Sequence, residues 1–471
     1  MGKNALRILV ITMVFIILAP QTGHAENNYD YVLEKETRVP IPRTYQVTRV
    51  ISYLGDECGY LKGAEDIFID DKGLLYVADT GNNRILKLNS QGTVLKVFTG
   101  AADKPLAAPR GVYVDKDGDI YIADTGNARI LHTDPDGGFV EEFTRPESEL
   151  LQETVSFDPS KVYVSSTGYL YIIKGKQFMT IDAHNRFRGY VGAEHVGFRF
   201  SELLVRIFAS EEQKSKLKKR QPPPYVNFVI HEDGMIYGIL DSPTDQIRKL
   251  NSVGKNIYKE DTYGELNEGE PPSFADIAVD KNGIISVLEW KQGRIYQYDQ
   301  DGNLLTVFGG TGNVRGMFES PSSLAVDREG CIYVLDRGRN NIQVFKPTNF
   351  IKDVHEAVKL YADGKYDESM AKWRDVLRTD ANYTLAHKGI AKALFKDGRY
   401  EESMAEYVLA DDPAGYSESF GEYRHELFRG NFGWLILIVI TAAYCLLKLF
   451  MVLKAMSRAE QRKDTVWQGE V

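Results

Sequence analysis

One pattern recurs along most of this chain, and it limits the possible folds more than any other feature. Residues 63–98 read GAEDIFIDDKGLLYVADTGNNRILKLNSQGTVLKVF and residues 109–143 read PRGVYVDKDGDIYIADTGNARILHTDPDGGFVEEF, differing mainly at positions suited to solvent. Six copies are marked by Gly73, Gly118, Gly168, Gly234, Gly283 and Gly330, at spacings of 45, 50, 66, 49 and 47 residues. Tyr76, Tyr121, Tyr171, Tyr237 and Tyr333 stand three residues after the glycine in five copies, and the fifth copy has Ser286 there. Short apolar-polar runs separated by turn signals predict four strands per copy. In the first copy these are 66–70, 74–79, 84–89 and 94–99. Asp71-Lys72-Gly73 and Ser90-Gln91-Gly92 supply the hairpin turns, where glycine takes positive φ without steric cost. A lone unit of this size cannot bury both faces, so the copies must stack and close.

Four short strands per copy, repeated, are the signature of β-propeller blades around a channel. The sixth copy supplies only three strands, because after 341–346 comes Pro347 and then helical sequence. The missing strand lies at the other end of the chain. Residues 45–55 (YQVTRVISYLG) resemble the fourth strand of other copies, such as 304–309 (LLTVFG). Pairing the two ends in one blade would lock the ring. The expected fold is therefore mainly β, a six-bladed propeller over 26–347 with a long inter-blade insertion at 193–224.

The repeats resemble the NHL repeat family over roughly 45–347. The resemblance rests on Asp79-Thr80-Gly81-Asn82-Asn83-Arg84-Ile85 and Asp124-Thr125-Gly126-Asn127-Ala128-Arg129-Ile130. Weaker echoes are Glu289 through Arg294-Ile295, and Asp336-Arg337-Gly338-Arg339-Asn340-Asn341-Ile342. Copies three and four depart most, with Lys174 and Asp241-Ser242-Pro243 in the corresponding stretch. From Phe350 the period becomes helical. Gly364-Lys365-Tyr366 and Gly398-Arg399-Tyr400 stand 34 residues apart, as do Ser369 and Ser403, and Trp373 and Tyr407. This period resembles tetratricopeptide repeats, whose helix pairs stack through small residues. The small α-helical region is expected over 350–428, with Tyr416, Phe420, Tyr423 and Leu427 on a capping helix.

The two ends read as membrane-targeting sequence. Lys3 and Arg7, the apolar run 8–19 and Gly23-His24-Ala25 predict a signal peptide over 1–25. One transmembrane helix is expected over 433–453, where Trp434 to Leu453 contain a single charge, Lys448. Lys454, Arg458, Arg462 and Lys463 follow, which places the tail 454–471 in the cytoplasm. The expected localisation is a single-pass type I plasma-membrane protein with most of the chain outside. A bacterial cell surface is the expected setting, and a eukaryotic secretory membrane also suits these ends. The net charge of −9 argues against nucleic acid as a partner. The three cysteines, Cys58, Cys331 and Cys445, exclude a disulfide scaffold and multi-cysteine metal sites, and leave open whether Cys58 and Cys331 pair.

Chemistry is expected on the face that gathers the inter-blade loops and the turn between second and third strands. That face collects Asp79, Asn82, Arg84, Asp124, Asn127, Arg129, Glu289, Arg294, Asp336, Arg337 and Asn340. Their bland role is structural, with Asp and Asn capping turns and Arg pairing with the Asp of its own repeat. Their functional role would be a polar ring for a peptide, glycan or ion. The stretch 201–220 reads as an amphipathic helix with a basic end, a solvated lid or a contact for an anionic surface. Eight scattered histidines show no metal-ligand spacing, and neither a nucleophile elbow nor a phosphate-cradling loop is present. No catalytic residue and no cofactor is predicted. The preferred function is a membrane-anchored extracellular scaffold that binds a protein or surface glycan. The alternative is a metal-dependent lactonase, hydrolase or lyase of the six-bladed type, with Ca²⁺ or Zn²⁺ held by side chains from distant blades. Fold alone does not decide between them.

Overall fold

The computed structural model describes residues 29–101, 103–146, 148, 156–192, 223–267 and 269–467. The expected signal peptide and the expected helix at 201–220 lie outside the described residues. The repeats form six antiparallel sheets, the blades of a propeller. Blade one consists of Asp66–Ile69, Leu75–Asp79, Arg84–Leu88 and Val94–Phe98, within a residue or so of the strands expected from sequence. Between its first two strands, Asp70 Oδ1 accepts the N–H groups of Lys72 and Leu74 at 2.9 and 2.8 Å, while Gly73 turns the chain at φ 76°. This explains why a glycine marks every copy.

The ring closes as the sequence implied. Tyr45–Ile51 pairs antiparallel with Asn341–Pro347, from Tyr45↔Pro347 to Ile51↔Ile342, and becomes the outer strand of blade six. Blade four differs from expectation, with three strands, Tyr225–Ile230, Ile236–Leu240 and Ile247–Leu250. Asn256 explains the missing strand. Its Oδ1 accepts the N–H of Lys249 and of Tyr258, both at 3.1 Å, and the ladder shrinks to the bridge Leu250↔Asn256 with Ile257 N–H donating to Lys249 O at 2.8 Å. The segment then buries Tyr258 and Tyr263. A further hairpin, Tyr31–Glu34 with Thr37–Pro40, adds to the edge of blade five through Tyr31↔Val307. It turns at Lys35 and Glu36, both at positive φ, without the Asn-Gly signature that would announce such a turn.

The core lies in layers between neighbouring blades. Leu75, Leu86, Leu335 and Val344 fill the layer between blades one and six; Tyr237, Ile247, Ile277 and Tyr296 fill that between four and five. Second strands are buried at every position in blades one, two, four, five and six, because a neighbour covers each face. Each fully buried large apolar side chain contributes about 1.5–3 kcal/mol. Cys58 and Cys331 are free thiols on the layer between blades one and six, and burial pushes the Cys331 thiol up to about 11.

Five helices follow: α1 (Asn349–Ala362), α2 (Tyr366–Thr379), α3 (Thr384–Lys396), α4 (Tyr400–Leu409) and α5 (Pro413–Trp467). Close approaches hold α2 to α5 together. A Cβ on Gly389 would meet the Trp373 indole at 2.2 Å, and one on Gly415 would meet the Tyr407 ring at 2.2 Å. The two aromatics that stand 34 residues apart thus each press on a glycine of a following helix. The face of α5 that packs is not the expected stripe. Gly415 and Ser419 are buried, with Ser419 Oγ 3.0 Å from Ser403 Oγ, whereas Tyr416 and Phe420 are 39% and 45% exposed. Small residues win here because the bulky Tyr407 already fills the gap. α5 continues without interruption through Trp434 and is long and apolar enough to cross a membrane.

Candidate functional site

The recurring turn between second and third strands is a set of staples. In blade one, Asp79 Oδ1 accepts Lys62 N–H at 2.8 Å, and its Oδ2 accepts Asn82 Nδ2 at 2.8 Å and Arg84 Nε at 2.7 Å. Blade two repeats this with Asp124, Ala107, Asn127 and Arg129, each bond at 2.8 Å. Arg84 and Arg129 also donate to carbonyls of the incoming loop, Cys58 at 2.7 Å and Pro105 at 3.1 Å. Thr80 and Thr125 reach the next blade, donating to the carbonyls of Pro109 and Pro159 at 2.7 Å. Asn340 at φ 53° accepts Gly63 N–H at 2.8 Å and so joins blade six to blade one. Asp336 accepts Glu319 and Ser320 N–H groups at 2.9 and 3.0 Å. In blade five, Glu289 accepts Lys291 and Gln292 N–H groups, burial pushes its carboxyl up, and Arg294 pairs with Glu265 at 2.7 Å. Ten of the eleven predicted residues thus have polar groups turned to the frame; the eleventh, Arg337, bonds it only through Ser320, and Arg294 and Arg337 each line a cavity.

That cavity sits over a floor the sequence reading did not single out. One position of each inner strand, four residues before Asp70, Asp115, Ser165, His231, Asp280 and Asp327, holds in turn Asp66, Gly111, Lys161, Asn227, Asp276 and Ser323. Their pairing is equivalent in all six blades, Asp66↔Ala78, Gly111↔Ala123, Lys161↔Ile173, Asn227↔Ile239, Asp276↔Leu288 and Ser323↔Leu335. Lys161 Nζ lies 2.7 Å from Asp66 Oδ1, and Val112 N–H donates to Asp66 Oδ2 at 3.0 Å. The Ser323 hydroxyl lies 3.2 Å from Asp66 Oδ1 and 2.5 Å from Asp276 Oδ2, and Asn227 Nδ2 donates to Asp276 Oδ1 at 2.6 Å. Each blade contributes one group to this ring. Burial opposes the Lys161 charge, but the carboxylates of Asp66 and Asp276 outweigh it and hold the ammonium above its ordinary range. Burial pushes the Asp276 carboxyl up, against the pull of Lys161.

Above the floor the channel widens into a funnel of about 280 Å³. Its wall is the preceding residue of each inner strand, Glu65, Arg110, Ser160, Val226, Ala275 and Ser322, joined by Trp290 and Arg337 from the turns of blades five and six. In blades three to six the wall residue is a β-bulge, where the register skips from Pro159 to Lys161, Tyr225 to Asn227, Phe274 to Asp276 and Pro321 to Ser323. A bulge re-aims consecutive side chains, which lets both Ser160 and Lys161, and both Val226 and Asn227, line the cavity. The signal was present in five copies as a polar residue in a mostly apolar strand, Asp in blades one and five and a different residue in three others, while blade two has Gly111. Among the described residues no group of three or more His, Cys, Asp or Glu is placed to hold a metal ion.

Comparison with known proteins bears on the repeats. The NHL repeat model matches residues 106–132 and 318–345, so this propeller carries NHL repeats. NHL repeat-containing protein 3 of Mus musculus is 30% identical over 137 residues, which is 26% of this chain and 40% of the mouse protein. The Homo sapiens protein of that name is 28% identical over 137 residues with the same coverage of both chains. The chain thus matches 40% of the length of these curated relatives. Among solved structures, one titled "Streptogramin B lyase structure" aligns at 13% identity and a TM-score of 0.43, covering 65% of this chain and 98% of that one.

Proposed function

We propose that this protein is a membrane-anchored extracellular scaffold whose propeller engages a protein partner through the funnel on its loop face. The observation that carries the reading is the division of labour on that face. The repeated Asp, Asn and Thr groups are used in holding blades together, while Arg110, Trp290 and Arg337 stand half-exposed around a cavity. NHL propellers commonly mediate protein interactions, which supports the same reading. The helices α1–α4 act in this account as tetratricopeptide-like repeats, a spacer or second docking element, supported by the 34-residue period. α5 anchors the chain by crossing the membrane at Trp434–Leu453, with the basic residues after Leu453 on the cytoplasmic side, supported by its length and apolarity. Tethering raises the local concentration of a partner without any new contact. The test is protease added to intact cells. Digestion of the propeller with a protected C-terminal fragment is the expected result, and a protected propeller would sink the extracellular setting.

A further inference from the structure

The charge at the funnel names the chemistry of what enters it, given the reading above that the funnel receives a protein. Five charged side chains line it, the cations Arg110, Lys161 and Arg337 and the carboxylates Glu65 and Asp66, in a chain of net charge −9. At the floor Lys161 pairs with Asp66, 2.7 Å away, and Asp276 is buried behind it, off the cavity wall. The rim is left with two guanidinium groups and one carboxylate. Glu65 stands between the two but saturates neither. Arg110 Nε is 3.8 Å from Glu65 Oε2 and Arg337 Nη1 is 3.8 Å from Glu65 Oε1, both beyond hydrogen-bond range. Arg337 donates its Nε–H to Ser320 Oγ at 3.2 Å; the Arg110 side chain makes no hydrogen bond to another described residue. Each guanidinium offers five N–H donors in a rigid fork suited to carboxylates, so most of this capacity is unused among the described residues. The two groups are 49% and 42% exposed, open enough to be reached and close enough to the low-dielectric wall to matter.

We propose that the funnel accepts an acidic side chain of the partner polypeptide, its carboxylate shared by Arg110 and Arg337 and its apolar stem laid against Trp290 and Phe274. One carboxylate brings the rim to neutrality, whereas a dianionic phosphate would overshoot it. Trp290 is 40% exposed and is the single tryptophan of the propeller, the other three being Trp373, Trp434 and Trp467.

The test uses the full chain in lipid nanodiscs and three probes: a blocked peptide of alternating alanine and glutamate, its glutamine counterpart, and inorganic phosphate. Calorimetry should detect saturable binding of the glutamate peptide, weakened by added salt, with the glutamine peptide at least about tenfold weaker. Arg110→Gln and Arg337→Gln should each weaken the glutamate peptide about tenfold, while Lys255→Gln, on an exposed loop outside the funnel, should leave it unchanged. Thermal melts of the variants verify folding, and Arg→Lys at either position should recover only part of the affinity because lysine lacks the fork. Equal binding of both peptides, absence of binding to the wild-type chain, or phosphate binding with the same arginine dependence and no peptide binding would each overturn the proposal. The scaffold reading falls separately. If partner cross-linking from position 290 persists without any preference for acid, the scaffold stands and the acidic ligand does not.

Discussion

At the residue scale the propeller works by turning the polar side chains of its repeat to structural bonds within and between blades. Asp79 holds its own incoming loop, Thr80 the next blade, and Arg84 neutralises the buried Asp79 carboxylate. The Asp and Arg roles were legible in the sequence, because Asp, Asn and Arg at fixed offsets around a turn form such bonds repeatedly, whereas the bridge from Thr80 to the next blade was not. The floor was not legible, because Asp66, Gly111, Lys161, Asn227, Asp276 and Ser323 share a register, and beyond the two carboxylates no common chemistry marks it along the chain. Gly111 shows the constraint in its barest form, since a Cβ there would meet Ser160 O at 2.5 Å. Lys161 and Asp66 provide the quantitative test. Lys161→Met strands the Asp66 carboxylate in a nearly closed site and should destabilise the fold by about 3–5 kcal/mol. Lys161→Met with Asp66→Asn should cost less than the sum of the single changes by about 1–3 kcal/mol. Denaturant melts of the three variants decide it, and additive losses would mean the pair is not coupled.

At the element scale, what was legible followed the period and what was hidden followed edges. The closing strand Tyr45–Ile51 announced itself through its likeness to other fourth strands, whereas the hairpin at Tyr31–Pro40 lacks a turn signature and blade four replaces a ladder with Asn256. The two N-terminal elements differ in what they do. Removing 26–40 takes a hairpin from a sheet edge and should lower the melting temperature while leaving one cooperative transition. Removing 26–55 takes the closing strand and should abolish the cooperative transition, as followed by circular dichroism; an unchanged melt would contradict closure. Helix α1 adds a pH dependence. His355 Nε2 lies 3.2 Å from Gln297 Oε1, and burial holds its imidazole down at about 4. The unfolded chain therefore takes up this proton first as pH falls. Stability should decline between about pH 6.5 and 4, by at most about 3 kcal/mol from this group, and His355→Gln should flatten that part of the curve. An unchanged slope in the variant would show that the fold does not hold the His355 imidazole down.

At the scale of the whole molecule, the chain joins a frame that uses its repeat residues internally to a funnel whose arginines face outward and to a helix able to span a membrane. The propeller could be read from six imperfect copies because stacking and closure are dictated by two-faced sheets. The funnel could not, because its wall is built from six distant segments that only the closed ring brings together. In the proposed function a protein partner sits on this funnel. Its most direct test is a photo-reactive amino acid placed at position 290, at the funnel rim, or at position 95, on the exposed outer strand of blade one, in intact cells. Irradiation should give a discrete protein adduct from position 290, lost when Arg110 and Arg337 are both glutamine, and none from position 95. Adducts from position 95 with none from position 290 would contradict it.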